Sequence, residues 1–282
     1  MARIALLLLV AAGSVHALQA ETAYHPAAAE IMARVAENQD RAVEQRKEFV
    51  YHQTARVRLL KTNGKLVWDE TREYNVTPTP AGTESQLVRT YGERRKDRDY
   101  KSFDLPGELD HEGLDPELVD SFHDELTAKD SNRDGLSHNF FPLTSAEQKY
   151  YRFTLDGEES YRRRQVYRVR FEPEPDSDER VWKGEVLVDK EEFQPVFVAT
   201  KLALKIPAAI RVLFGINIRQ IGFSVSYDRF GENVWFPVSY GGEFSLKLFH
   251  FYKRTVIVSM VNQNFRRATV ASDIHFAQPV EP

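Results

Sequence analysis

Apolar and polar residues along most of this chain change places every second position. Tyr51, Gln53, Ala55, Val57 and Leu59 alternate with His52, Thr54, Arg56 and Arg58, the period of a half-buried strand. Asn63-Gly64 separates that run from Leu66, Trp68, Tyr74 and Val76. Asn-Gly between two such runs predicts a hairpin with a type I′ turn, whose central positions both need positive φ. From Tyr150 onward the alternation hardly stops. Tyr167, Val169 and Phe171 lead to Val186 and Val188, and a turn at 189–192 leads to Val196, Val198, Thr200, Leu202 and Leu204. Ile221, Phe223, Val225 and Tyr227 follow, then a turn at 229–233, then Val234, Phe236, Val238 and Tyr240, then Phe244, Leu246 and Leu248, and a last strand over 255–260.

Three segments break the period of two. Pro26 to about Glu48 places Ile31, Val35 and Val43 against a charged face of Glu30, Arg34, Glu37, Arg41 and Glu44, which predicts a thinly apolar helix that needs a sheet beneath it. The acidic stretch from about Gly92 to Gln148 spaces Leu114, Leu118, Phe122 and Leu126 by four, with Asp115 and Pro116 at a helix start. It reads as a short acidic helix and a loop inserted between sheet segments. In KIPAAIRVLFGINIRQ, Ile206, Ile210 and Leu213 have helical spacing, with Pro207 and Gly215 as start and stop; this is a core plug or a hydrophobic lip at Leu213 and Phe214.

The expected fold is mainly β (α+β): a large antiparallel, partly open barrel or half-barrel, its concave side covered by the N-terminal helix and the mid-chain insert. A wide meander under so little helix leaves an apolar hollow, the default setting of a ligand site. The residues on the apolar parity of their strands are its expected lining: Val57, Leu59, Val169, Phe171, Val198, Leu202, Phe223, Val225, Phe244 and Leu246.

The opening MARIALLLLVAAGSVHALQA has one arginine, an apolar run and small residues at Ala17 and Ala20, the pattern of a secretory signal peptide. Residues 1–20 are therefore read as a leader, 21–275 as one β-rich domain with its insert at about 92–148, and 276–282 as a tail. Of 282 residues none is cysteine, so neither disulfides nor a lipid-bearing cysteine enters the picture. The 38 basic and 42 acidic residues nearly balance, which argues against a nucleic-acid partner.

Candidate chemistry is sparse. DSNRDG places Asp130, Asn132 and Asp134 at the first, third and fifth places of a calcium loop and Gly135 at the sixth. Phe141 stands at the twelfth, where a bidentate glutamate should close the shell, so the stretch reads first as a surface turn. His111, His123 and His138 lie among carboxylates in the insert, at separations that match no metal motif and fit a solvated acidic face. No zinc-protease, nucleophile-elbow or phosphate-loop motif occurs, so no catalytic residue and no cofactor is assigned.

WKGEVLVDKEEFQPVFVATK, from Trp182 to Lys201, resembles a strand–turn–strand of the LolA/LolB-like superfamily of outer-membrane lipoprotein-sorting proteins. VAENQDRAVEQRKEFVYHQTARVRLL, WFPVSYGGEFSLKLF and VNQNFRRA are similar to segments of exported relatives of that group. The resemblance implies a half-open barrel that binds acyl chains of lipoproteins or other lipids in the periplasm, with envelope proteins as further partners. It transfers no individual functional residue. The leading expectation is a monomeric, exported, non-enzymatic carrier. The alternatives are an envelope scaffold with a fully packed sheet, and an enzyme built on the histidine-bearing insert.

Overall fold

A computed structural model describes residues 26–79, 82–109, 112–127, 141–175, 182–202, 216–231, 234–248 and 252–268. Residues 1–25, with the stretch read as a leader, DSNRDG and the apolar segment containing Leu213 and Phe214 lie outside these residues, as do His111 and His138. The first element is a helix, α1 (Ala28–Arg46). Its buried positions Ile31, Met32, Val35, Ala36, Gln39, Ala42 and Arg46 recur every three or four residues, so one stripe faces the sheet. Ala42 takes the place in that stripe that periodicity assigned to Val43, which is only half-buried.

β1 (Phe49–Leu60) and β2 (Leu66–Thr79) form the expected hairpin, through a different turn. Of the loop residues Gly64 alone has positive φ, at 79°, and its N–H donates to Lys61 O at 2.9 Å while Lys61 N–H donates to Lys65 O at 2.8 Å. A left-handed glycine following the turn offsets the strands by one residue, and the pairing shifts between Leu59 and Leu60 to match. β3 (Gly82–Lys96) and β4 (Asp99–Leu105) then run into the stretch read as an insert. Their dense charges, as in GERRKDRDYK, hide the alternation, because neither face of this edge hairpin carries an apolar row. After α2 (Leu114–Thr127) and the single turn α3 (Ser145–Gln148) come β5 (Tyr151–Tyr161), β6 (Arg164–Pro173), β7 (Trp182–Asp189), β8 (Pro195–Leu202), β9 (Ile216–Phe230), β10 (Val234–Leu248) and β11 (Tyr252–Arg267).

All eleven strands form one antiparallel sheet in the order β4-β3-β2-β1-β11-β10-β9-β8-β7-β6-β5. Every neighbour is a sequence neighbour except β1 and β11, which pair Val57 with Val258 and Ala55 with Met260. Among the described residues the edges β4 and β5 do not pair, so the sheet is open, and the connection between these edges carries α2 and α3. This is the mainly β, open antiparallel architecture expected from the strand pattern. Among the described helices none is long and apolar enough to cross a membrane.

One apolar cluster unites Ile31, Met32 and Val35 of α1, Val119 of α2 and the inward rows of the strands, so both helices lie on the same face. α1 crosses that face: Gln148 donates to Met32 O near β5, Asn38 donates to Glu192 O and Phe193 O at the β7–β8 turn, and Arg46 donates to Trp235 O on β10. A register shift between Pro237 and Ser239 lets β10 serve two clusters. Tyr240 stays in the main core, whereas Phe236 joins Phe49, Val234, Phe230 and Phe265, with ring centres of Phe236 and Phe265 4.3 Å apart.

Candidate functional site

The helix-covered face is the candidate site, because every residue assigned to a lining by strand parity and described here belongs to it. Val57, Leu59, Val169, Phe171, Val198, Val225, Phe244 and Leu246 are buried in the main core, and Phe223 is half-buried against it. Leu202 belongs to β8, with its side chain outside the described residues. Aromatic rings join the strands across this face: Phe223 stacks on Tyr240 at 5.5 Å and meets Trp182 edge-on at 5.4 Å. Phe244 reaches up to Phe122 of α2 at 5.1 Å.

α2 is the cover over β1 and β2. Its deepest line is Pro116, Val119 and His123, flanked by half-buried Leu118, Phe122 and Leu126, while Leu114 is exposed. The spacing-by-four row is thus the shoulder of the buried stripe, about one residue round the helix from its centre. His123, assigned by sequence to the solvated acidic face, is fully buried instead. It lies where the i+4 step from Val119 meets the sheet.

Beneath it sits a polar group that strand alternation contains but that apolar parity passes over. Trp68, Glu70, Arg72 and Tyr74 share the inward face of β2, and Glu70 and Arg72 are 0% and 3% exposed. Trp68 Nε1 donates to Glu70 Oε2 at 3.0 Å, and Arg72 Nε donates to Glu70 Oε1 at 2.8 Å. Arg72 also donates from NH2 to Asp120 on α2, which binds the helix to the strand. Burial opposes the charge on Arg72, but Glu70 and Asp120 outweigh it and raise its pKa. His123 Nε2 stands 3.7 Å from Glu70 Oε1, and neither ring nitrogen reaches good hydrogen-bonding geometry. Burial first, and the charge of Arg72 second, hold its pKa well below the usual histidine value, so it is neutral at pH 7. Two charged residues on the apolar parity between Trp68 and Tyr74 were the available sequence signal.

The N-terminus of α2 is fixed separately. Asp115 accepts from Tyr252 OH at 2.6 Å and from both Arg254 Nε and NH2, at 2.6 and 2.8 Å. Burial and the Asp115 carboxylate both raise the Tyr252 pKa.

Three cavities are described, each with charged residues in its wall. One of about 450 Å³ lies over β6, β7 and β8 among Arg170, Phe171, Glu172, Lys183 and Glu185, one of about 320 Å³ lies at β10 and β11 among Ser245, Leu246, Lys253 and Arg254, and one of about 580 Å³ lies among Thr54, Arg56, Asp69, Tyr91 and Glu93. Among the described residues no cluster of three or more histidine or acidic side chains is placed to hold a metal ion.

The fold resembles solved structures of the LolA superfamily and of lipoprotein-sorting domains. A domain described as an outer membrane lipoprotein-sorting protein, from Vibrio parahaemolyticus, matches with 10% identity over 86% of this chain and 95% of that one, at a TM-score of 0.39. A DUF1329 family protein from Desulfovibrio piger matches with 11% identity over 90% of this chain and 98% of that one, also at 0.39. A LolA superfamily protein from Nitrosomonas europaea matches with 9% identity over 88% and 96%, at 0.34. Identities of this size say nothing of ligand or activity. No protein-family model and no curated protein matches the sequence.

Proposed function

We propose that this chain is an exported, non-enzymatic binding protein of the carrier type, which shelters an apolar ligand such as an acyl chain between the inward face of the sheet and α2. The observation that carries this reading is a wide apolar face under a cover of two separate helices. Eleven strands span about 48 Å of sheet, α1 crosses it from β5 to β10, and α2 alone lies over β1 and β2. Val57, Val225 and Phe244, from three different strands, all contribute to that face. A carrier needs only modest burial. Ten sheltered methylenes contribute about 8 kcal/mol, the range of a micromolar complex. The signal-peptide pattern of residues 1–20 supports export to the periplasm, and the near balance of charge favours an uncharged ligand body.

A second reading, an envelope scaffold with a packed sheet and a protein partner, is favoured by one observation: Val57, Val169 and Val198 are 0% exposed. Titration of the purified protein with a fluorescent fatty acid separates the two. Saturable binding near one per chain supports the carrier, and a linear response without saturation supports the scaffold.

A further inference from the structure

The surroundings of His123 combine three features that seldom occur together. The imidazole is completely buried, both ring nitrogens lack good hydrogen bonds, and the nearest carboxylate, Glu70, is already shared between Arg72 and Trp68. A neutral imidazole tolerates this position, but an imidazolium does not: it would be a second cation beside Arg72, away from water. We propose that His123 makes α2 an acid-released cover of the sheet's inward face, closed at neutral pH and lifted as the imidazole takes a proton; this rests on reading that face as the ligand site.

The groups facing His123 decide whether protonation opens or tightens the contact. From β2 these are Glu70 and Arg72, with Asp120 of α2 held on Arg72; β1 and β3 place uncharged Ala55, Val57 and Thr90 opposite Arg72 and Glu70. Two acceptors could reward an imidazolium, both on Glu70: its Oε1 at 3.7 Å already accepts from Arg72 Nε at 2.8 Å, and the pull of its backbone carbonyl is outweighed by burial and by Arg72. Asp120 is bound to Arg72 on the other side. Release from the sheet gives the charged ring water as its partner, so protonation and opening are linked.

The sign follows from the direction of the shift. The pKa of His123 is lowered in the closed state, so closure is fully stable above the ordinary histidine value of about 6.5 and weakens as pH falls below it. The ratio of open to closed then rises about tenfold between pH 7.5 and 5.5. Asp115 still ties the start of α2 to Tyr252 and Arg254, so the helix lifts from its His123 end.

Amide hydrogen exchange of the full chain, expressed as protection relative to the intrinsic rate at each pH, reads this without any ligand. Protection across 118–127 should fall about tenfold from pH 7.5 to 5.5 while that of β9–β11 holds, and His123→Gln should abolish the pH dependence. An acid loss that persists in H123Q assigns the effect to carboxylates and overturns the proposal. Where H123Q does not fold, the imidazole resonances of the wild type decide: a His123 ring titrating near 6.5 with α2 still protected overturns it, and a ring that stays neutral until α2 exchanges supports it. Absence of fatty-acid binding with acid release intact would refute the carrier reading and leave the release of α2 standing.

Discussion

Arg72 donates from Nε to Glu70 Oε1 over 2.8 Å, and the two side chains stand next to each other on the inward face of β2 with almost no exposure to water. This pair is a charged centre of the helix-covered face, and Asp120 and His123 of α2 are built onto it. The partners are not equal in what their loss does. Removing Glu70 leaves a buried guanidinium whose remaining partner, Asp120, is 41% exposed.

Glu70→Ala should therefore cost about 3–5 kcal/mol, seen as a lowered urea midpoint. The double variant Glu70→Leu, Arg72→Met should cost less than Glu70→Ala, because it removes both charges together. A double variant that falls as far as the single one would assign the cost to lost packing around Trp68.

The anchor at the other end of α2 has its own signature. Tyr252 has a pKa raised by burial and by Asp115, so its neutral form is favoured in the folded chain. That contribution is present below about pH 10 and is lost as pH rises further. Asp115→Asn should move the phenolate transition of Tyr252 down toward the ordinary tyrosine value, followed by ultraviolet absorbance. Asp115→Ala should cost about 1–2 kcal/mol, discounted for the partial exposure of the pair.

Gly184 marks a close approach of β7 to β8. A Cβ there would stand 1.9 Å from Ala199 O and 3.0 Å from Phe171 Cζ. The carbonyl belongs to the backbone and has no rotamer to escape into, so Gly184→Ala should cost about 2 kcal/mol or more and lower the thermal midpoint.

The strand rows, the opening helix and the open antiparallel sheet were legible because burial of one face imposes a period of two on Tyr51–Leu59, Tyr167–Phe171 and Phe223–Tyr227. The pairing of β1 with β11 was not, since nothing local in VRLL or TVIVSM names a partner some two hundred residues away. β3 and β4 are hard to read because their inward row is short and mixed, with Leu87 half-buried and Thr90 buried among charged residues. Glu70 and Arg72 escape the pattern for another reason. Each is charged, yet neutralised by a neighbour that only the folded strand and Asp120 of α2 supply. His123 shows the same limit: acidic sequence neighbours argued for a wet face, while its position four residues after Val119 put it under the helix.

DSNRDG lies outside the described residues, and its sequence argues against a calcium site. Millimolar calcium should leave the thermal midpoint unchanged, since the loop lacks the glutamate that would complete its coordination at Phe141. A rise in midpoint that Asp130→Asn abolishes would restore the ion site.

The carrier reading is tested most directly by what the protein holds when taken from an exporting cell. Native purification followed by organic extraction and mass spectrometry should recover acyl-bearing molecules near one per chain. A preparation that carries no apolar molecule, from a chain that is folded and correctly exported, would contradict the account.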